Sequence, residues 1–323
     1  MTYTPGSLSP RLTVSPKHPN LDSELRIRVE GVPPDSELKR GGRLPGVLLL
    51  GGAEGGMHEE DAALWAAHGY VVLALAYYGM PGLSATLQSI PLEYFGEALD
   101  YLGQHPRVPA GRPAVMGVSK GGEAALLIGT LFPQVRAVIS VVGSGVCTQG
   151  ISQSVVTGSF LDIVGTPVAN WTYQGNELPY LPNVVTPELV AQVAAGEPVA
   201  LKSVFEPGLL LTDLLAAATI PVERIRGAVL LISGGEDDFC GSAFQEIAAR
   251  RLAAHKHPHT WRHLVYEGAG HFLCATPYVP TTRTLSPGPG VTFRSGGTPA
   301  VNARAQVAAR QEILRFLARE IAQ

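Results

Sequence analysis

The sequence predicts an α/β fold with a mostly parallel central sheet, helices on both faces and a cap insertion. Three observations lead there. Short continuous apolar runs alternate with helical segments, a serine sits at a Gly-x-Ser-x-Gly bend between such a run and a helix, and an aspartate and a histidine follow it in the order Ser, Asp, His. This is the pattern of an α/β-hydrolase sheet.

Pro45 to Leu50 and Tyr70 to Tyr77 are apolar runs of the kind buried on both faces of a parallel sheet, and Met57 to His68 between them reads as a helix. Leu92 to Leu102 is a second helix, with Leu92, Phe95 and Leu99 at spacings of three and four. The run from Pro113 enters the serine bend, and a helix around Glu123 to Phe132 leaves it. Val135 to Val142, Gly227 to Ser233 and Arg262 to Glu267 supply further strands. A helix from about Asn302 to Ile321 closes the chain, with Leu314, Leu317 and Ile321 on one face.

At the bend, Gly117 and Gly121 flank Ser119 because a side chain at either position would collide across so tight a strand-to-helix turn. The turn exposes Oγ above the sheet and aims the N–H of Lys120 at the oxygen of a carbonyl under attack. With 37 glycines in 323 residues the motif is weak by itself. Its context carries it. Asp238 follows a strand in Gly234-Gly-Glu-Asp-Asp-Phe239, where a carboxylate at the sheet's carboxyl edge can orient an imidazole, and His271 follows the last strand in a Gly-Ala-Gly-His turn. His271 would take the Ser119 proton while Asp238 fixes its tautomer; Asp237 is the rival for the acid role. The bland readings are a turn or cap carboxylate for the aspartate and a surface imidazole for the histidine.

A second oxyanion donor is expected from the glycine-rich turn Gly51 to Gly56, with Ala53 or Glu54 as the residue. The alternative is an ordinary flexible loop. Neither dinucleotide nor P-loop spacing is present there. Gly143 to Thr219 breaks the regular alternation and is expected to cover the site as a cap, with Phe160, Trp171 and Tyr173 as candidate acyl-binding residues; they could equally pack the cap on the core. Tyr278 to Thr298, rich in Pro and Gly, reads as a long surface excursion.

The bulk properties fit a soluble enzyme. A chain with 46% apolar residues can bury one large core, and a net charge of −3 without a basic run argues against a nucleic-acid partner. No apolar run approaches membrane-spanning length, so no membrane partner is expected. Cys147, Cys240 and Cys274 have no metal-binding spacing and read as free thiols, so neither metal nor cofactor is expected. The first residues lack the pattern of a secretory signal and the last carry no peroxisomal address, which makes a cytoplasmic enzyme the expectation.

Several strings then resemble a known family. Ser119-Lys-Gly-Gly-Glu123, Leu73-Ala-Leu-Ala-Tyr-Tyr78, Leu92-Glu-Tyr-Phe95, Ile220-Pro-Val-Glu-Arg224, Gly270-His271, Gly296-Gly-Thr298 and Ala303 to Gln306 are similar to the C-terminal catalytic domain shared by acyl-CoA thioesterases and bile acid-CoA:amino acid N-acyltransferases. The resemblance runs from about Pro45 to the C-terminus. It implies an acyl-CoA or related ester substrate, with Ser119, Asp238 and His271 at the family's triad positions. It also implies the domains: residues 1–44 resemble the opening strands of the β-sandwich that precedes the catalytic domain in longer members, and 45–323 are the hydrolase domain with its cap at about 143–219. The conjugating members use a cysteine nucleophile. A serine ester is less activated toward an amine than a thioester, which favours water as acceptor.

Overall fold

The computed structural model describes residues 11–15, 26–30, 43–109, 113–153, 158–273 and 284–321. The chain divides into two compact units, Met1–Gly42 and Arg43–Gln323. In the first, β1 (Arg11–Ser15) and β2 (Arg26–Glu30) pair antiparallel, Thr13 opposite Arg28.

The second unit alternates strand and helix: β3 (Gly46–Leu50), α1 (Glu59–Ala67), β4 (Val71–Leu75), the short β5 (Ile90–Pro91), α2 (Glu93–Gln104), β6 (Ala114–Val118), α3 (Lys120–Leu131) and β7 (Ala137–Val141). A cap segment follows, with α4 (Phe160–Gly165), β8 (Trp171–Tyr173), β9 (Asn176–Glu177), α5 (Pro187–Ala194), β10 (Val199–Ala200), α6 (Lys202–Phe205) and α7 (Thr212–Ala218). The core resumes with β11 (Ala228–Gly234), α8 (Ser242–Ala254), β12 (Trp261–Tyr266), the pair β13 (Leu285–Pro287) and β14 (Thr292–Arg294), and α9 (Pro299–Glu320).

Six strands form one parallel sheet in the order β12-β11-β7-β6-β3-β4. Alternation along the strands divides the core into two layers. Leu48, Leu50, Val115, Val138, Val229 and Leu231 point to one face and meet Phe95 and Leu99 of α2, Leu126 of α3 and Leu252 of α8. Val47, Leu49, Met116, Ile139, Leu230 and Ile232 point to the other and meet Trp65 of α1 with Ile313, Phe316 and Leu317 of α9. Fully burying one such side chain is worth about 1.5–3 kcal/mol, so these two layers supply the main drive for folding.

The strand order reverses direction between β3 and β6. Loops leaving two neighbouring strands at such a switch point diverge to opposite faces and leave a crevice at their carboxyl ends, which is where open α/β sheets bind ligands. The loop after β3 is Gly51 to Gly56, and the turn after β6 is Ser119.

Local chemistry explains the boundaries that differ from expectation. The last helix starts at Pro299 rather than Asn302 because Thr298 caps it, Oγ1 accepting from the Val301 N–H at 3.4 Å, with proline in the first turn. Apolar periodicity alone does not reveal α8, whose buried face is Phe244, Gln245, Ala248, Ala249 and Leu252 and whose polar face carries Arg250 and Arg251. The segment from Tyr278 is more than a surface excursion where it is described. β14 pairs with β13 and, in parallel, with β10 of the cap. Cys274 and the rest of 274–283 lie outside the described residues.

Candidate active site

Ser119 follows β6 directly and stands at φ +55° and ψ −118°, a conformation L-residues rarely adopt. Two glycines make that bend possible. A Cβ on Gly117 would lie 1.9 Å from the Gly121 carbonyl oxygen, and one on Gly121 would lie 2.3 Å from that of Gly51. Strain of this kind costs about 1–3 kcal/mol and is held only where the surroundings impose it. Here they do: the Ser119 N–H donates to the Val141 carbonyl at 2.8 Å and its carbonyl accepts from Gly122 N–H at 2.9 Å.

His271 Nε2 lies 3.1 Å from Ser119 Oγ, and His271 Nδ1 lies 2.8 Å from Asp237 Oδ2. His271 and Asp237 are both buried, and Phe239 stacks on the imidazole with ring centroids 4.7 Å apart. The other Asp237 oxygen accepts from the N–H groups of Phe239 and Cys240 at 2.7 and 3.2 Å. The histidine turn is pinned from behind, where His271 N–H donates to the Ser295 carbonyl at 2.8 Å and Asn302 of α9 accepts the Gly270 N–H at 2.9 Å.

The expected Asp238 is not the aspartate at the imidazole. Its carboxylate turns away to Lys202 Nζ at 2.8 Å and Arg294 Nε at 3.4 Å, joining α6 to β14. Successive residues in an extended turn point to opposite sides. Asp237 is held toward His271 by the local N–H groups of Phe239 and Cys240, while Asp238 meets cations 36 residues before and 56 after it in the chain.

Lys120, Ala53 and Glu54 all border a cavity of about 890 Å³ above Ser119 and His271. The Lys120 N–H opens α3 and has no acceptor within its own helix. The Glu54 carboxylate accepts the Gly52 N–H at 3.0 Å and lies 3.1 Å from His58 Nε2. Asp61 Oδ2 stands 3.4 Å from the other ring nitrogen, and these two carboxylates, outweighing partial burial, raise the His58 pKa to about 10. Burial opposes the charge on Glu54, but the His58 contact and local N–H groups prevail and lower its pKa.

Phe160 lines the cavity, as do Phe205 of the cap, Phe239, Phe244, Phe272 and Phe293 of the hairpin. Trp171 and Tyr173 do not. Trp171 is buried with its ring 5.9 Å from Tyr77 and 6.0 Å from Phe95, and its Nε1 donates to Glu123 Oε1 at 2.8 Å; Tyr173 packs on the same core layer. The reason is Glu123, a buried carboxylate one turn beyond the serine. It also accepts from Thr148 Oγ1 at 2.8 Å and Asn170 Nδ2 at 3.3 Å and pairs with Lys120 Nζ at 3.3 Å. A carboxylate buried this deeply needs such donors, and the indole is one of them. The Lys120 ammonium itself reaches Thr148 Oγ1 and the carbonyl of Gln149.

No group of metal-ligating side chains occurs among the described residues, and among them no helix is long and apolar enough to cross a membrane. Cys240 borders the cavity with burial pushing its thiol pKa up, and buried Cys147 is shifted in the same direction for the same reason.

The chain is similar to human acyl-coenzyme A thioesterase 1, 31% identical over 279 residues that cover 85% of this chain and 60% of that protein. It is similar also to mouse acyl-coenzyme A amino acid N-acyltransferase 1, 30% identical over 285 residues and covering 87% and 61% of the two. The chain thus spans about 60% of the length of these curated relatives. Among solved structures, DcsB in complex with its substrate analogue superposes with a TM-score of 0.52 at 14% identity, covering 88% of this chain and 92% of that one. A puromycin-hydrolyzing peptidase of Mycobacterium tuberculosis gives 0.50 at 17%, covering 87% and 35%. These likenesses concern the fold, an α/β-hydrolase. The family described as BAAT / Acyl-CoA thioester hydrolase C terminal matches residues 90–323, a span that holds Ser119, Asp237 and His271, and this chain belongs to that family.

Proposed function

We propose that this chain hydrolyses acyl-CoA thioesters to a free carboxylic acid and coenzyme A through an acyl-Ser119 intermediate. The observation that carries the reading is the connected series Ser119 Oγ, His271 Nε2, His271 Nδ1 and Asp237 Oδ2, at 3.1 and 2.8 Å, beneath a cavity with an aromatic wall.

In this reading His271 Nε2 removes the Ser119 proton as Oγ attacks the thioester carbonyl, and Asp237 holds Nδ1–H and stabilises the imidazolium. The carbonyl oxygen, now an oxyanion, sits against the N–H of Lys120 and a second N–H from Ala53 or Glu54. Collapse breaks the carbon–sulfur bond, and the thiolate leaves with the proton from His271. Water then gives its proton to the same nitrogen as it attacks the serine ester, and collapse breaks the ester bond while His271 returns that proton to Ser119 Oγ, releasing the acid. The acyl chain lies along Phe160, Phe239 and Phe293. Free thiols at Cys147 and Cys240 support a reducing, cytoplasmic setting.

The test is a panel of acyl-CoA esters and aryl esters, with thiol release and product followed in the presence and absence of glycine and taurine. Free acid as the main product with millimolar amino acid is the expected result. Mostly amide product would make the chain a transferase, and turnover of aryl esters alone would make it a carboxylesterase.

A further inference from the structure

Tyr77 follows β4 and is buried, yet its hydroxyl does not face the cavity. Its single O–H proton is shared between two consecutive carbonyls of the oxyanion loop, Gly51 O at 2.8 Å and, more weakly, Gly52 O at 3.3 Å. The Gly52 carbonyl also accepts from the Gly55 N–H at 3.4 Å, which closes the turn.

In a trans peptide the C=O and the following N–H point in opposite directions across one rigid plane. Drawing the Gly51 oxygen toward Tyr77 therefore turns the Gly52 N–H away from it, and that N–H is found on Glu54 Oε1. Drawing the Gly52 oxygen toward Tyr77 does the same for the next N–H, that of Ala53, which borders the cavity. A Cβ on Gly52 would lie 3.2 Å from Ser119 Cβ, so this loop passes directly over the nucleophile. Burial, followed by the charges of Tyr78, Glu54 and Glu123, raises the Tyr77 pKa and keeps the hydroxyl a neutral donor. The ring is locked between Tyr78, Phe95 and Trp171, with centroids 5.4, 5.4 and 5.9 Å away.

We infer that Tyr77 is a positioning residue that aims the Ala53 N–H at the developing oxyanion while Glu54 occupies the neighbouring Gly52 N–H. The inference rests on the reading of Ser119 as nucleophile. It selects Ala53 over Glu54 as the second donor and gives a mechanical purpose to the first tyrosine of the Tyr-Tyr pair, which lies outside the cavity.

The test is Tyr77→Phe, which keeps the ring and removes the hydroxyl, measured beside a second variant in which Ala53 is replaced by lactic acid to delete its N–H. Losing an oxyanion donor outright costs about 10²–10³ in kcat, so a misaimed one is expected to cost about 10- to 100-fold. KM should stay within about twofold, and affinity for a trifluoromethyl ketone acyl analogue, which forms a tetrahedral adduct, should fall by the same factor as kcat/KM. The two variants combined should lose little more than the larger single loss, because both act through one N–H. A Tyr77→Phe enzyme with kcat near the parent's would overturn the inference. So would a loss that leaves analogue affinity untouched and lowers Tm, or additive losses in the double variant; if Tyr77→Phe does not fold, 4-methylphenylalanine at position 77, which fills the hydroxyl's volume without a donor, is read by the same kcat and analogue criteria. Fluorophosphonate labelling of the parent separates the two readings. Labelling at a residue other than Ser119 removes both, whereas Ser119 labelling with an indifferent Tyr77→Phe removes only this one.

Discussion

Asp237 and Asp238 are neighbours in sequence and face opposite ways, Asp237 holding His271 Nδ1 at 2.8 Å and Asp238 holding Lys202 Nζ at 2.8 Å. One turn thereby serves two ends. It supports the imidazole, and it fastens α6 and β14, which carry Phe293 and part of the cavity wall.

The two aspartates should separate cleanly on mutation. Asp237→Asn is expected to lower kcat by about 10⁴, since an amide in that position supports the wrong tautomer. Asp238→Asn should leave kcat within a few-fold and cost about 1 kcal/mol of stability, because its ion pairs are partly exposed. Steady-state kinetics and thermal melts on both variants check this, and a larger kinetic loss in the Asp238 variant would reverse the assignment.

Ser119 is strained and is the proposed nucleophile, so stability and activity should diverge there. Ser119→Ala and Ser119→Gly should each abolish turnover, by about six orders of magnitude. Glycine tolerates φ +55° without a Cβ penalty, so the Gly variant should be about 1 kcal/mol more stable than the Ala variant. Equal melting temperatures for the two would show that the bend is not strained.

Trp171 should behave as a core residue and not as part of the acyl pocket. Trp171→Phe removes a donor from buried Glu123, at a cost of about 1–3 kcal/mol. Phe293→Leu alters the cavity wall and should shift the preferred acyl length while Trp171→Phe leaves it alone. An acyl-CoA chain-length series on the two variants decides the matter, and a changed preference in Trp171→Phe would put the indole back at the substrate.

What could be read from the chain divides along a physical line. Gly117, Ser119 and Gly121 were legible because steric demands at a tight turn act between near neighbours, and His271 because it ends a strand-turn segment downstream. The strands were legible because burial on both faces leaves continuous apolar runs. Asp237 was not, since two adjacent aspartates offer the same spacing, and what separates them is the partners each meets in the fold, His271 for Asp237 and the distant Lys202 and Arg294 for Asp238. Nor was the fate of Trp171: aromatic content in a cap signals apolar contact, and only the buried Glu123 determines that the contact is internal. The hint lay in that glutamate, the one carboxylate of α3, a helix otherwise small and apolar beyond Lys120 and Thr130, which had to find donors somewhere.

Stability should depend on pH through the cluster at the loop's outer edge. His58 has its pKa raised to about 10 by Asp61 and Glu54, against about 6.5 for a free imidazole. A group whose folded pKa is raised contributes stability that is fully present below the unfolded value and is lost as pH rises through the folded value. His58→Gln should therefore be less stable than the parent at pH 6 by about 1–3 kcal/mol, an amount reduced by partial exposure of the cluster. The deficit should shrink from pH 7 upward and close above pH 10. Thermal melts of both proteins at pH 6, 8 and 10.5 measure it, and a deficit that is constant with pH would show that the imidazole packs there without carrying a charge.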